Sequence, residues 1–432
     1  MNHRKSLTIH KPVLQSAKLT CTFSMGKENF TNSYDFPGLD NKADLGDPTT
    51  EKIANWVAII SSFGLFSVEY FDDLICDFPL SDDDITFFEK LIYLGFGEFR
   101  YVNNIPIKTK TLVRSTVKSD CLPLKQKAYN NGPLLLNGGG KDGSVSAWLL
   151  ESTGTPFTWF QRGESAAQAN VTATWNHPVI AVMRNLDPNR KNRKYSGHRP
   201  MSAGIAFVAL LSAHLYEYSD VIASNETSAN EGNSVLEGFT LNHQYSKSLE
   251  FEEDIQSLLT KAGINLNYFS LLRPLHEIQI AKIAKNLTDK QLASIISCNN
   301  GTKTGYWCLN CAKCAFVALI MTAIGSDVVE KIWGRNGILN TPALHPYLIE
   351  LLDPTLDKPL ECVGTLEECQ LAAKMIVDAN RQSVDHDTMS ILQKYANLTV
   401  QDVQLFISDM AQSNIPKRYN DVVDTMTSAL SK

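Results

Sequence analysis

The chain has no apolar run approaching the ~20 residues of a membrane span; its longest, 203–215 and 314–324, have the length of buried helices. It has no basic excess either. Forty Lys and Arg against 46 Asp and Glu give a net charge of −6, which argues against a dedicated nucleic-acid binder. Residues 1–22 lack a continuous apolar core, so no secretory signal is expected and the cytoplasm is the expected compartment. Internal repeats and low-complexity tracts are missing. The nine cysteines are odd in number, and Cys21, Cys76, Cys121, Cys362 and Cys369 are scattered, which argues against a disulfide framework.

What is present is concentrated at 133–144. The run Pro133-Leu134-Leu135-Leu136-Asn137 leads into Gly138-Gly139-Gly140-Lys141-Asp142-Gly143-Ser144, and a helical pattern follows at 145–151. Strand, glycine-rich turn and helix make a phosphate-binding geometry. Glycines let successive backbone N–H groups converge, and the helix N-terminus adds partial positive charge. A Walker A loop is excluded, because Lys141 is followed by Asp142 and position 135 is Leu. The dinucleotide pattern matches at Gly138, Gly140 and Gly143, with Glu164 where a ribose-binding acid would stand. A pyrophosphatase-type loop, Ser-Gly-Gly-x-Asp-Ser, fits with Gly at both ends, Gly138 and Gly143, and with Ser144 one place late. A tight structural turn is the plain alternative.

Around this loop, 131–295 alternates as α/β proteins do. Strand-like runs fall at 134–136, 157–160, 179–183 and 221–224, and helical patterns at 145–151, 201–217, 249–261 and 275–286. This order predicts a parallel sheet with ligands at the carboxyl ends of its strands, where both the glycine loop and Ser224-Asn225-Glu226 would lie. A basic stretch, Arg184, Arg190, Lys191, Arg193, Lys194 and Arg199, reads either as a solvated loop or as an arm attracting anionic substrate groups. Residues 1–130 read as a separate lobe, α-rich or mixed, in which no chemistry is evident. Residues 131–330 read as the catalytic domain and 331–432 as a helical region, with helices at 366–379, 387–398, 400–411 and 419–430 and a capping box at Thr399 and Asp402.

The remaining cysteines, Cys298, Cys308, Cys311 and Cys314, fall within 17 residues. Four thiolates suit a closed, structural, tetrahedral zinc site. An iron–sulfur cluster or free thiols are alternatives.

Such a loop followed by Ser-Cys-x9-Cys-x2-Cys-x2-Cys is similar to the cyano-deazaguanine synthases. Further segments resemble another family of the same PP-loop ATP pyrophosphatase superfamily, the UDP-N-acetylmuramoyl-L-alanyl-L-glutamate epimerases. They are Ser224-Asn225-Glu226, continuing to Asn233; Asn242-His243-Gln244-Tyr245-Ser246-Lys247-Ser248; Leu271-Leu272-Arg273-Pro274; Trp307-Cys308 to Val317; and Lys358-Pro359-Leu360-Glu361-Cys362-Val363-Gly364. The resemblance spans roughly 130–375.

The resemblance implies an α/β, parallel-sheet PP-loop (adenine nucleotide alpha hydrolase-like) domain with a four-cysteine zinc knuckle. It also implies an ATP- and Mg²⁺-dependent isomerase that adenylates the terminal carboxylate of a nucleotide-sugar peptide and inverts L-Glu to D-Glu, releasing AMP and pyrophosphate. ATP-loop roles fall to Gly138, Gly139, Gly140, Lys141, Asp142, Gly143 and Ser144, with Asp142 also a candidate for orienting Mg²⁺. His243 is the first candidate for proton transfer, since histidine titrates nearest neutral pH; Glu226, Glu231 and Lys247 follow. Arg273, Arg199 and Asn225 are candidate substrate contacts. Gly143 in place of the loop's last Ser, and Leu309-Asn310 where glycine is common, depart from the pattern. Another carboxylate-activating reaction on the same fold, amidation or ligation, or a catalytically silent relative stays open.

Overall fold

The computed structural model describes residues 4–39, 46–118, 124, 127–191, 193–397, 406 and 410–431. Its strands are β1 (Ser6–Ile9), β2 (Val13–Gln15), β3 (Lys18–Met25), β4 (Glu28–Asp35), β5 (Asp73–Cys76), β6 (Leu112–Ser115), β7 (Asn131–Leu136), β8 (Thr158–Arg162), β9 (Val179–Asn185), β10 (Tyr218–Ala223), β11 (Ser234–Leu236), β12 (Phe239–Leu241) and β13 (Asn267–Ser270). All but β11 and β12, which form a hairpin, join one sheet in the order β13-β10-β7-β8-β9-β4-β3-β1-β5-β6, with β2 on β3.

The half of the sheet from β13 to β9 is parallel. Its crossovers carry the helices Lys141–Ser152, Ala166–Thr172, Met201–Leu215 and Leu249–Lys261. Strands covered on both faces read as unbroken apolar runs rather than alternation. Leu134 and Val221 join the core shared with helices Pro48–Ser62 and Met201–Leu215, whereas Leu135 and Ile222 join the core around helix Ala312–Ile324.

The first 130 residues contribute six strands. Along β3, Leu19, Cys21 and Phe23 are buried while Lys18, Thr20 and Thr22 face outward, the period-two pattern of a strand with one covered face. β4 pairs antiparallel with β9 through Ser33, Tyr34 and Asp35, so the sheet runs unbroken from the N-terminal residues into the α/β half. A helical C-terminal region follows, with helices Leu366–Asp378, His386–Tyr395 and Asn420–Ser431 packed onto the Ala312–Ile324 side. The helix expected at 400–411, and its capping box at Thr399 and Asp402, fall mostly outside the described residues.

The helix after the glycine loop starts at Lys141, four residues before the expected start. Gly140 is its extended N-cap residue, and Ser297 Oγ, from a distant segment, accepts the Lys141 N–H at 3.0 Å. That external partner satisfies a first-turn donor which the local sequence leaves open.

Candidate active site

The loop 137–143 leaves the carboxyl end of β7. Gly139 has φ +79°, and a Cβ there would lie 2.7 Å from the Ala167 carbonyl carbon, so only glycine fits. The loop is held from within by the Gly139 N–H on Asn137 Oδ1 at 2.9 Å. It is held from outside by the Ile296 N–H on the Gly139 carbonyl at 2.9 Å. Among the described residues, the N–H groups of Gly138, Gly140, Asp142 and Gly143 take no protein acceptor. These donors surround the helix N-terminus, an arrangement suited to an anion. Ser144 does not replace the missing loop hydroxyl: it is buried, and its Oγ turns back to the Gly140 carbonyl at 3.2 Å.

Lys141 departs from its expected role as a phosphate contact. Its side chain is fully buried, and its ammonium bonds both the Asp142 and Glu277 carboxylates. Burial opposes its charge, but Asp142, Glu277 and Glu226 together raise its pKa. Burial pushes Glu277 up to about 7 against the pull of Lys141, and Glu277 Oε1 is buried with no hydrogen-bond partner among the described residues.

Arg273 is likewise not a free clamp. It is fully buried, with Nε 3.3 Å from Glu252, Nη1 2.6 Å from the Glu226 carbonyl and Nη2 on the Lys247 carbonyl. It therefore fixes two loops that carry expected site residues. Asn225 is tied by its N–H to Ser270 Oγ at 2.6 Å, and Glu231 pairs with Lys358 at 3.4 Å.

A second group gathers beside the first. The His243 imidazole bonds Glu98 through Nδ1 and lies close enough to the Cys362 thiol for each to shift the other's pKa. Lys247 Nζ lies 3.1 Å from Cys362 Sγ. Burial would lower the His243 pKa, but Cys362 and Glu98 raise it to about 9. These partners favour the protonated form of the residue expected to transfer protons. Burial would also raise Cys362; the charges of Lys247, His243 and Lys313 reverse this and hold the thiol at about 6. Glu98 also accepts the His198 N–H at 3.2 Å, and the rings of His198 and His243 lie 4.2 Å apart. Asn233 clamps the two chain segments together, accepting the His243 N–H at 2.8 Å and donating to the Pro359 carbonyl at 2.9 Å.

The basic stretch is partly solvated, with Arg193 and Lys194 exposed and Lys194 paired with Glu69 at 2.7 Å, and partly turned inward. In the β8–β9 register Arg162 lies opposite Val182, so Arg162 and Arg184, two residues past Val182, share a face. Gly204 leaves room for the Arg162 guanidinium, as does Gly64 for that of Arg190. Arg190 is 8% exposed; its Nε and that of Arg199 are buried without partners. Burial, then Arg184, lowers Arg162 to about 10; burial, then Arg184, Arg199 and Arg193, lowers Arg190 equally. Among the described residues none of these five arginines pairs with a carboxylate.

The four cysteines converge. Cys298 and Cys311 Sγ are 3.8 Å apart, Cys308 and Cys314 Sγ are 3.7 Å apart, and all four lie within 4.8 Å of one another. A tetrahedron of ~2.3 Å metal–sulfur bonds has edges of about 3.8 Å, so the group could hold a metal ion. Leu309 has φ +57°, which explains why glycine suits this turn position.

A profile of the MurL N-terminal domain matches residues 7–271, and one of the MurL C-terminal domain matches 294–404. The chain belongs to the MurL family. Among its relatives, proteins named UDP-N-acetyl-alpha-D-muramoyl-L-alanyl-L-glutamate epimerase are 27% identical in a Micromonospora species (82% of each chain) and 28% in Salinispora tropica (81% of this chain, 79% of the relative). A third, in Xanthomonas oryzae pv. oryzae, is 32% identical over 69% of this chain and 68% of its own. Among the described residues, no helix of this MurL-family chain is long and apolar enough to cross a membrane.

The structure brings Lys141, Asp142, Glu226, Lys247 and His243 into one neighbourhood, and sets Arg199 beside it through His198. It adds Glu98, Glu277 and Cys362, for which sequence reading assigned no role. Cys362 carried a signal: it stands in one of the segments of the resemblance, in an otherwise ordinary Pro-Leu-Glu-Cys-Val-Gly string. Glu98 carried none.

Proposed function

We infer that this protein converts the terminal L-Glu of UDP-MurNAc-L-Ala-L-Glu to D-Glu, coupled to cleavage of ATP to AMP and pyrophosphate. The observation that carries this reading is the glycine loop with unpartnered N–H groups, opening onto the Lys141–Asp142–Lys247 cluster, in a chain whose relatives bear the epimerase name.

A carboxylate resists loss of its α-proton, because deprotonation would put a second negative charge beside the first. Adenylation removes the first charge and makes the α-carbon acidic. Backbone N–H groups of Gly138, Gly140, Asp142 and Gly143 receive the departing pyrophosphate, aided by the helix dipole. Lys247 and Lys313, which both act on Asp142, supply positive charge where the phosphates and the enolate are negative. Asp142 and Glu277, the latter with one unpartnered oxygen, are the hard donors that would hold Mg²⁺; bound there, the ion would neutralise phosphate charge. The arginine group, Arg162, Arg184, Arg190, Arg193 and Arg199, suits the diphosphate of the nucleotide sugar. The cysteine tetrahedron suits structural Zn²⁺, since it offers no open position for chemistry.

The test is an assay with ATP, Mg²⁺ and the muramoyl dipeptide nucleotide in D₂O. AMP, one α-deuterium and D-Glu in equal amounts are expected. AMP without α-deuterium would move the chain to a ligase-type reaction; neither signal would overturn the reading.

A further inference from the structure

Cys362 is the side chain beside the glycine loop's charged cluster whose surroundings are hardest to explain as packing. It is half-buried, with Lys247 Nζ at 3.1 Å from its sulfur and the His243 imidazole beside it. Behind the imidazole stands Glu98, supplied by the helix Gly97–Val102. Thiol, imidazole and carboxylate in series, each fixing the next, is the arrangement that activates a nucleophile or base. Arg273 holds the Lys247 carbonyl, and Asn233 holds the His243 backbone against Pro359. A merely structural thiol needs none of this, and an inert buried cysteine stands in apolar surroundings.

We propose that Cys362 is the base that removes the α-proton of the activated glutamate. The proposal rests on the epimerase reading above. In the step, the Cα–H bond breaks, its proton goes to Sγ, and its electron pair delocalises onto the acyl oxygen as an enolate. A proton from an acid on the opposite face then completes inversion, and hydrolysis frees the carboxylate and AMP. Lys247 bonds the sulfur and His243 stands beside it, so both lie on the thiolate's side. Their role is positional: they keep the sulfur ionised and aimed. A thiolate suits the work because it is deprotonated at working pH without a free carboxylate to repel the substrate.

Two measurements decide the proposal. The first is alkylation of the full-length protein with iodoacetamide, read at Cys362 by peptide mass spectrometry across pH 5–10. The groups facing the thiol are Lys247, His243 and Lys313, with Glu98 and His198 beyond His243, and Asp142 and Glu226 beyond Lys247. Reaction is expected to rise through a midpoint well below that of an ordinary thiol, with Lys247→Met and His243→Gln each moving the midpoint up. A midpoint at the ordinary value, unmoved by either variant, overturns the proposal.

The second compares Cys362→Ser with the parent protein. ATP–pyrophosphate exchange in the presence of substrate is expected to persist within about threefold, which also reports folding, while α-deuterium incorporation falls about 10³-fold. Loss of exchange together with deuteration from Cys362→Ser and Cys362→Ala alike, or deuteration retained, overturns it. So does a stable acyl adduct on Cys362 trapped in a single turnover, which would make the sulfur a nucleophile. If the parent protein shows the lowered alkylation midpoint but no deuteration, the epimerase reading fails while the activated thiol stands for another reaction.

Discussion

Two charged clusters line the carboxyl edge of the sheet, built on opposite plans. Around Lys141 and Cys362 cations meet anions: Lys141 with Asp142 and Glu277, His243 with Glu98, Lys247 with the Cys362 sulfur. Around Arg162 and Arg190 the buried guanidinium groups face other arginines and, among the described residues, no carboxylate. Buried charge is tolerated when paired and costly when not. The first cluster is therefore balanced within itself, and the second carries like-charge repulsion that, on the proposed function, an arriving anion would relieve.

The contrast breaks most sharply at Lys141. Lys141→Met leaves Asp142 and Glu277 facing each other unpaired, and should cost about 3–5 kcal/mol in urea denaturation. The arginines should behave in the opposite sense. Arg162→Ala and Arg190→Ala should each raise KM for the nucleotide-sugar peptide by about 1.5–3 kcal/mol, roughly 10- to 150-fold, with kcat little changed. Removing a like charge should leave the ligand-free Tm unchanged or raise it. If both Arg variants melt early, the cluster is structural and the comparison fails.

Gly139→Ala, at φ +79° against Ala167, should cost about 1–2 kcal/mol from backbone conformation alone. It should raise KM for ATP at least tenfold while sparing substrate KM. Finally, the paired cluster predicts a bell-shaped pH profile of kcat/KM. Cys362 is held at about 6 and His243 at about 9, so the thiolate is lost as pH falls through the lower value and the imidazolium as pH rises through the upper. The limbs belong to the coupled pair, and Glu98→Gln should bring the upper limb down.

The glycine loop and the cysteine tetrahedron were legible in the sequence because each is nearly contiguous: backbone conformation and ligand spacing act over a few residues. So were the strands β7 to β10, whose apolar runs stand between helical patterns. The partners were not. Lys141 and Glu277 are 136 residues apart, Glu98 and His243 145, and Lys247 and Cys362 115. Only the strand order places them together, and no local pattern encodes it. The N-terminal strands are a different case: the Leu19, Cys21, Phe23 alternation was there to read, but aromatic-rich helical patterns dominate that region. Arg273 shows a third limit, since an arginine beside a motif looks the same whether it clasps a ligand or the chain itself.

The segment that meets the loop at Ile296 and Ser297 runs directly into Cys298. One short strap thus has its near end on the nucleotide loop and its far end in the thiol tetrahedron. Any coupling of binding free energy through this strap is, by thermodynamic reciprocity, equal in both directions. On the proposed function, a chelator that empties the tetrahedron should weaken ATP binding, and saturating ATP should raise the metal affinity by the same factor.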